Sequence, residues 1–70
     1  MRYKNLKVEM VIRGYTINDL ARITGKSRNA ISKNMNVAGS FTVEQAIAIK
    51  KELFPELTID YLFARADDVA

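Results

Sequence analysis

Between Thr16 and Lys33 the chain spells two helix starts with a single glycine between them. Thr16 is an N-cap residue, and Asp19 three positions later makes an approximate capping box. Ser27 is a second N-cap, and Gly25 stands just ahead of it, where a left-handed backbone costs glycine least. Two short helices joined by so tight a turn must cross one another. Ala21 and Ala30, one on each helix, are small enough to let them cross closely. The remaining segments are expected to form the bundle that holds this pair rigid.

The second helix of the pair, running to about Met35, is two-faced. At ~100° per residue Arg28, Asn29, Ser32 and Lys33 fall on one arc, with Ala30, Ile31 and Met35 mainly on the other. The inner arc is apolar, and the outer one carries side chains that donate and accept hydrogen bonds. A helix, a glycine turn and a second helix with a polar, basic outer face have the layout of a helix-turn-helix. That device lays its second helix into the DNA major groove.

The flanking segments read as further short helices. Tyr3 to Arg13 is amphipathic, with Leu6, Met10 and Val11 expected on the core stripe, and Gly14 ends it. The first helix of the pair turns Leu20, Ala21 and Ile23 inward. Asn36 to Phe41 reads as a loop. Thr42 with Gln45 forms a capping box for a fourth helix, whose Val43, Ala46, Ile47, Ile49 and Leu53 are expected in the core. Pro55 forbids its continuation. Thr58 caps a short fifth element in which Ile59, Leu62 and Phe63 close the bundle. Residues 1–63 are thus expected to be one DNA-binding domain and residues 64–70 a flexible tail.

Composition narrows the chemistry. The chain has neither Cys nor His, which removes disulfides, thiolates and the commonest metal ligand and general base. Nothing calls for a metal, a cofactor or a small-molecule ligand, and no residue can be assigned a catalytic role. No apolar run approaches the ~18 residues of a membrane span, and the N-terminus lacks a signal peptide's apolar core. The expectation is a cytoplasmic protein, held at the nucleoid by DNA.

Charge is unevenly distributed. The formal net charge is +3. Residues 1–40 hold eight Lys or Arg against Glu9 and Asp19, and residues 41–70 hold three against six carboxylates. One half can therefore face a polyanion while the other faces away.

From about Tyr3 to Phe63 the chain resembles the lambda-repressor/Cro-type (XRE) helix-turn-helix family, most closely its short phage Cro-like members. The resemblance rests on Thr16, Leu20-Ala21, Gly25, Ser27, Ile31-Ser32, the Phe41-Thr42 lead-in to the fourth helix and the closing Ile59-Asp-Tyr-Leu-Phe63. The spacing from Ala21 to Gly25 to Ile31 is its specific part. It implies an all-α, five-helix lambda-repressor-like domain with the helix-turn-helix at helices 2 and 3. It also implies a double-stranded DNA operator as partner, often bound by a homodimer, and a repressor of phage or prophage type. In seventy residues without room for a sensor, such a repressor would act by occlusion.

Carried over by position, Arg28, Asn29, Ser32 and Lys33 would read base edges. Phosphates would be held by Thr16 and Asn18 at the start of helix 2, by Lys26 and Ser27 at the turn, and by Asn36 and Ser40 in the following loop. An arginine fork matches guanine O6 and N7, and an asparagine amide matches adenine N6 and N7. Ser32 could touch only a phosphate, and Lys33 could read guanine or merely neutralise charge. Lys7 and Arg22 could flank the DNA or simply be solvated.

The chain departs from the family at three places. Where relatives commonly carry Gln after the cap of helix 2, this chain has Ile17, which either packs in the core or touches a thymine methyl. The loop Asn36-Val-Ala-Gly-Ser40 brings its glycine late and lacks the usual lysine, which predicts lower affinity than a typical member. Asn34 stands where relatives place an apolar residue, with Met35 expected to take over its packing. For a dimer surface, Phe54, Tyr61 and Phe63 are the candidates, although Phe54 and Phe63 read more readily as core. The alternative function is a helical protein-binding adaptor, antirepressor- or antitoxin-like, which would need a large exposed apolar patch.

Overall fold

The helix starts marked by Thr16, Ser27, Thr42 and Thr58 are all present in the computed structural model, which describes residues 3–35 and 40–65. Five helices follow one another, α1 (Lys4–Arg13), α2 (Ile17–Thr24), α3 (Arg28–Met35), α4 (Val43–Leu53) and α5 (Ile59–Leu62), with no strand among the described residues. The described residues form a small, mostly helical domain.

Local chemistry sets the boundaries. The Thr16 amide donates to the Asp19 carboxylate at 2.8 Å. Ser27 Oγ accepts the Ala30 amide at 3.1 Å, and Thr42 Oγ1 accepts that of Gln45 at 3.1 Å. Gln45 Oε1 accepts the Thr42 amide in return, completing the reciprocal box. Thr58 Oγ1 accepts the Tyr61 amide. Gly14 ends α1 with φ 77°. Its amide reaches the carbonyl of Val11 while that of Tyr15 reaches Met10, the Schellman pairing that satisfies the last carbonyls of a helix. Gly25 ends α2 in the same left-handed region, at φ 72°. Helix α4 stops at Leu53, two residues ahead of Pro55, which cannot continue it.

Helix α2 packs on both α3 and α4, and α5 bridges α4 and α1. Leu6, Met10, Leu20, Ile31, Ile49, Phe54 and Leu62 are essentially fully buried where these elements meet. Met35 is buried while Asn34 is only half-buried, so the methionine does carry the packing at the end of α3. Two aromatic groups complete the core. Tyr3, Phe41 and Phe63 form a triangle with centroid separations of 5.2, 5.7 and 5.6 Å, and the Phe41 amide donates to the Tyr3 hydroxyl at 3.1 Å. Tyr15 stands edge-on to Phe54 at 5.5 Å.

Three expected core residues lie outside. Val11 is 67% exposed, Val43 75% and Ile47 40%. In α1 the buried stripe is Leu6 and Met10, so Val8, Val11 and Ile12 share the opposite face. In α4 the buried stripe is Ala46, Ile49 and Leu53, and position 47 sits half a turn from it. The two amphipathic patterns were both available in the sequence, and packing against α5 and α2 selected one. Residues 36–39 and 66–70, and with them most of the expected loop and tail, lie outside the described residues. Among the described residues no helix is long and apolar enough to cross a membrane.

Candidate functional site

The exposed face of α3 is built by what lies beneath it. Ile31 and Met35 are buried against the rest of the domain, which fixes the rotation of the helix. Arg28, Asn29, Ser32 and Lys33 are consequently all exposed. Arg28, Asn29 and Ser32 line one open groove together with Ser27 and Ile17. The groove therefore joins the first turns of α2 and α3.

Backbone donors converge there as well. Ser27 Oγ occupies the Ala30 amide, which leaves the amides of Arg28 and Asn29 ahead of the first intrahelical acceptor of α3. At the start of α2 the Asp19 carboxylate takes the Thr16 amide, and the Thr16 hydroxyl leans on the same oxygen at 3.4 Å. Thr16 is exposed, but its donors are directed inward to Asp19. The amides of Ile17 and Asn18 are the ones that helix geometry leaves open. Two helix N-termini beside a guanidinium make an environment that favours an anion.

Ile17 has both of its expected surroundings. It is half-buried and packs against the core cluster, and it also forms one wall of the groove. An apolar wall beside an arginine and an asparagine is suited to a methyl group flanked by hydrogen-bonding atoms.

The other expected contacts are more dispersed. Lys33 is exposed on α3 without lining the groove. Lys26 lies on the far side of the turn, in a concavity it shares with Ile23, Thr24, Thr42, Glu44 and Gln45. That places the capped start of α4 beside Lys26, a neighbour for which its capping box was the only sequence signal. Ser40 is exposed, and Asn36 lies outside the described residues. Arg22 is largely exposed, with Asp19 at 4.0 Å, so part of its charge is already answered.

A separate polar cluster ties α1 to the C-terminal part of the chain. Arg13 pairs with Glu9 at 3.5 Å and with Glu56. The hydrogen bond from Arg13 holds the Glu56 carboxyl below its ordinary range, and the same bond raises Arg13. Tyr61 donates its hydroxyl to Glu9 at 2.9 Å, and that bond pushes the phenol up. Asn5 Nδ2 donates to the Tyr61 carbonyl at 2.9 Å. Of the aromatic residues considered for a dimer surface, Phe54 is fully buried, and Phe63 packs half-buried in the triangle. Tyr61 is exposed but is engaged with Glu9. Among the described residues no group of carboxylates is placed to hold a metal ion. No protein-family model, no curated protein and no solved structure matches the chain.

Proposed function

We propose that the chain is a sequence-specific double-stranded DNA-binding regulator, with α2 and α3 acting as a helix-turn-helix and α3 entering the major groove. The observation that carries this reading is the grouping of Arg28, Asn29 and Ser32 with the start of α2 around one open groove. Arg28 and Asn29 read base edges in it, and the open amides of α2 and α3 meet phosphates. Lys26 and Lys33 add charge on either side, and the low acidity of residues 1–40 extends that field. A protein seated in the major groove represses by occluding the site, the mode of a phage or prophage Cro-like repressor.

The test is selection of the purified protein on a random-sequence duplex pool at near-physiological salt. A reproducible recovered motif whose preference at single base pairs is relaxed by Arg28→Ala or Asn29→Ala supports base reading by those residues. Absence of enrichment over non-specific binding sinks it.

The second reading is a protein-binding adaptor, and one observation favours it. Val8, Val11 and Ile12 form an exposed apolar stripe on α1. The polar arc of α3 is what argues for DNA instead, since an adaptor has no use for arginine, asparagine, serine and lysine grouped there.

A further inference from the structure

Helix α1 carries a surface that the DNA reading does not use. Leu6 and Met10 are its buried stripe. At ~100° per residue the opposite arc holds Lys4, Val8, Val11 and Ile12, with Lys7 on one border and Asn5 on the other. Lys4 is exposed, and Val8, Val11 and Ile12 are 42%, 67% and 69% exposed. Positions 4, 8 and 12 stack one turn above another and position 11 sits beside them, so the side chains adjoin. Single apolar side chains scattered over a surface are ordinary, but a contiguous group with a polar rim marks an interaction site.

We infer that this face docks an acidic amphipathic helix of a partner protein. The partner lays its apolar stripe along Val8, Val11 and Ile12 and sets its carboxylates against Lys4 and Lys7. The argument is charge complementarity. Among the described residues neither lysine has an ion-pair partner. The one carboxylate of α1 is withdrawn from the face, because Glu9 accepts the Tyr61 hydroxyl and pairs with Arg13. Asn5 gives its side-chain amide to the Tyr61 carbonyl. The face therefore presents apolar contact and positive charge, and an acidic amphipathic helix carries the complement of both. A phosphate backbone matches the lysines but leaves three branched apolar side chains without a partner. A lipid surface is a poorer match too, since the arc has no aromatic side chain to anchor it.

None of these residues lines the groove of Arg28 or the concavity of Lys26. The inference does not depend on what α3 binds, and a protein held on α1 leaves that groove open. Ten residues of helix span only ~15 Å, so the contact is smaller than the ~800 Å² per partner of a standard interface and its affinity is modest.

The probe is a stapled helical peptide of about 14 residues, four turns, with leucines at i, i+3, i+4 and i+7 spacing and glutamates beside them. Its partners are the same peptide with lysine for every glutamate and a scrambled one. Titration of the full 15N-labelled chain at low salt should show saturable binding of the glutamate peptide with Kd below about 1 mM. The shifted amides should lie in α1. The lysine peptide should bind at least about tenfold more weakly, and so should the scrambled one. Val11→Ser/Ile12→Ser should lose the glutamate peptide at least about tenfold, while circular dichroism checks that the chain still folds. Lys4→Glu/Lys7→Glu should reject the glutamate peptide and accept the lysine peptide, an exchange that a loss of folding could not produce. Failure of the glutamate peptide to bind overturns the inference. So does binding that is indifferent to peptide charge, or that shifts α3 instead of α1. Should the glutamate peptide fail while Lys4→Glu/Lys7→Glu weakens binding to a random duplex, or to phosphatidylglycerol vesicles, the face belongs to nucleic acid or to lipid.

Discussion

The guanidinium carbon of Arg13 lies 5.1 Å above the centroid of the Phe54 ring, and the same group grips Glu56 and Glu9. One of the cations of the basic half is thereby committed to the fold rather than to a polyanion. Glu56 has a lower pKa folded than unfolded, so its contribution is present above the ordinary glutamate range. It is lost as pH falls through the depressed folded value. Thermal melts of Glu56→Gln should therefore run below wild type at neutral pH and converge with it in acid. A gap that stayed constant with pH would show that the ion pair does not stabilise the fold.

Tyr61 gives the mirror case. Its hydroxyl donates to the Glu9 carboxylate, which raises the pKa of the phenol. The stabilisation is complete below the ordinary tyrosine range and disappears as pH rises through the raised folded value. Tyr61→Phe should be destabilised at neutral pH and should match wild type once the phenol has ionised. Melts in strongly alkaline buffer that still separate the two proteins would count against the bond.

The turn between α2 and α3 is held by two inexpensive devices. A Cβ built on Gly25 meets nothing within 4 Å, so the cost of Gly25→Ala is that of a left-handed backbone alone. About 1–2 kcal/mol is expected. Ser27→Ala, which strips the Ala30 amide of its acceptor, should cost about 1 kcal/mol. Urea unfolding at neutral pH measures both, and a neutral Gly25→Ala would mean that the turn relaxes out of the left-handed region.

How much of this could be read from the sequence follows from range. Caps and glycine stops are chemistry within four residues, and the starts at Thr16, Ser27, Thr42 and Thr58 were all legible. So was the outer arc of α3, because Ile31 and Met35 point unambiguously the other way. In α1 and α4 two apolar stripes compete, and nothing local separates Met10 from Val11 or Ala46 from Ile47. The Arg13–Phe54–Glu56 and Glu9–Tyr61 contacts were illegible because they join residues some forty or fifty positions apart.

At the groove, side chains that read bases should behave differently from those that neutralise phosphate. Arg28→Ala or Asn29→Ala is expected to cost about 1–3 kcal/mol and to relax preference at one base pair. Lys26→Ala should weaken binding alike on every sequence and reduce the slope of log K against log salt by about 1. Titrations on a selected duplex and on a scrambled one, at three salt concentrations, separate the two patterns. Arg28→Ala with unaltered affinity and preference would remove α3 as the reading helix.

Ile17 connects stability to recognition. Its packed half predicts a loss of about 1–2 kcal/mol on substitution by alanine. Its groove half predicts that replacing thymine by uracil at one site position weakens wild type roughly fourfold, the worth of one buried methyl. The Ile17→Ala protein should not notice that change. Equal sensitivity of both proteins would assign Ile17 to the core alone.

Tyr3 closes on Phe41 and Phe63 at once, and its hydroxyl takes the Phe41 amide. During translation Tyr3 must therefore wait for Phe63 before its ring has a resting place. A nascent chain halted before residue 63 has emerged from the ribosome can form α2 and α3, but their support at this end stays open. Closure of this end is thus deferred until Phe63 is available, and fragments truncated ahead of Phe63 should be found by proteases rather than by DNA.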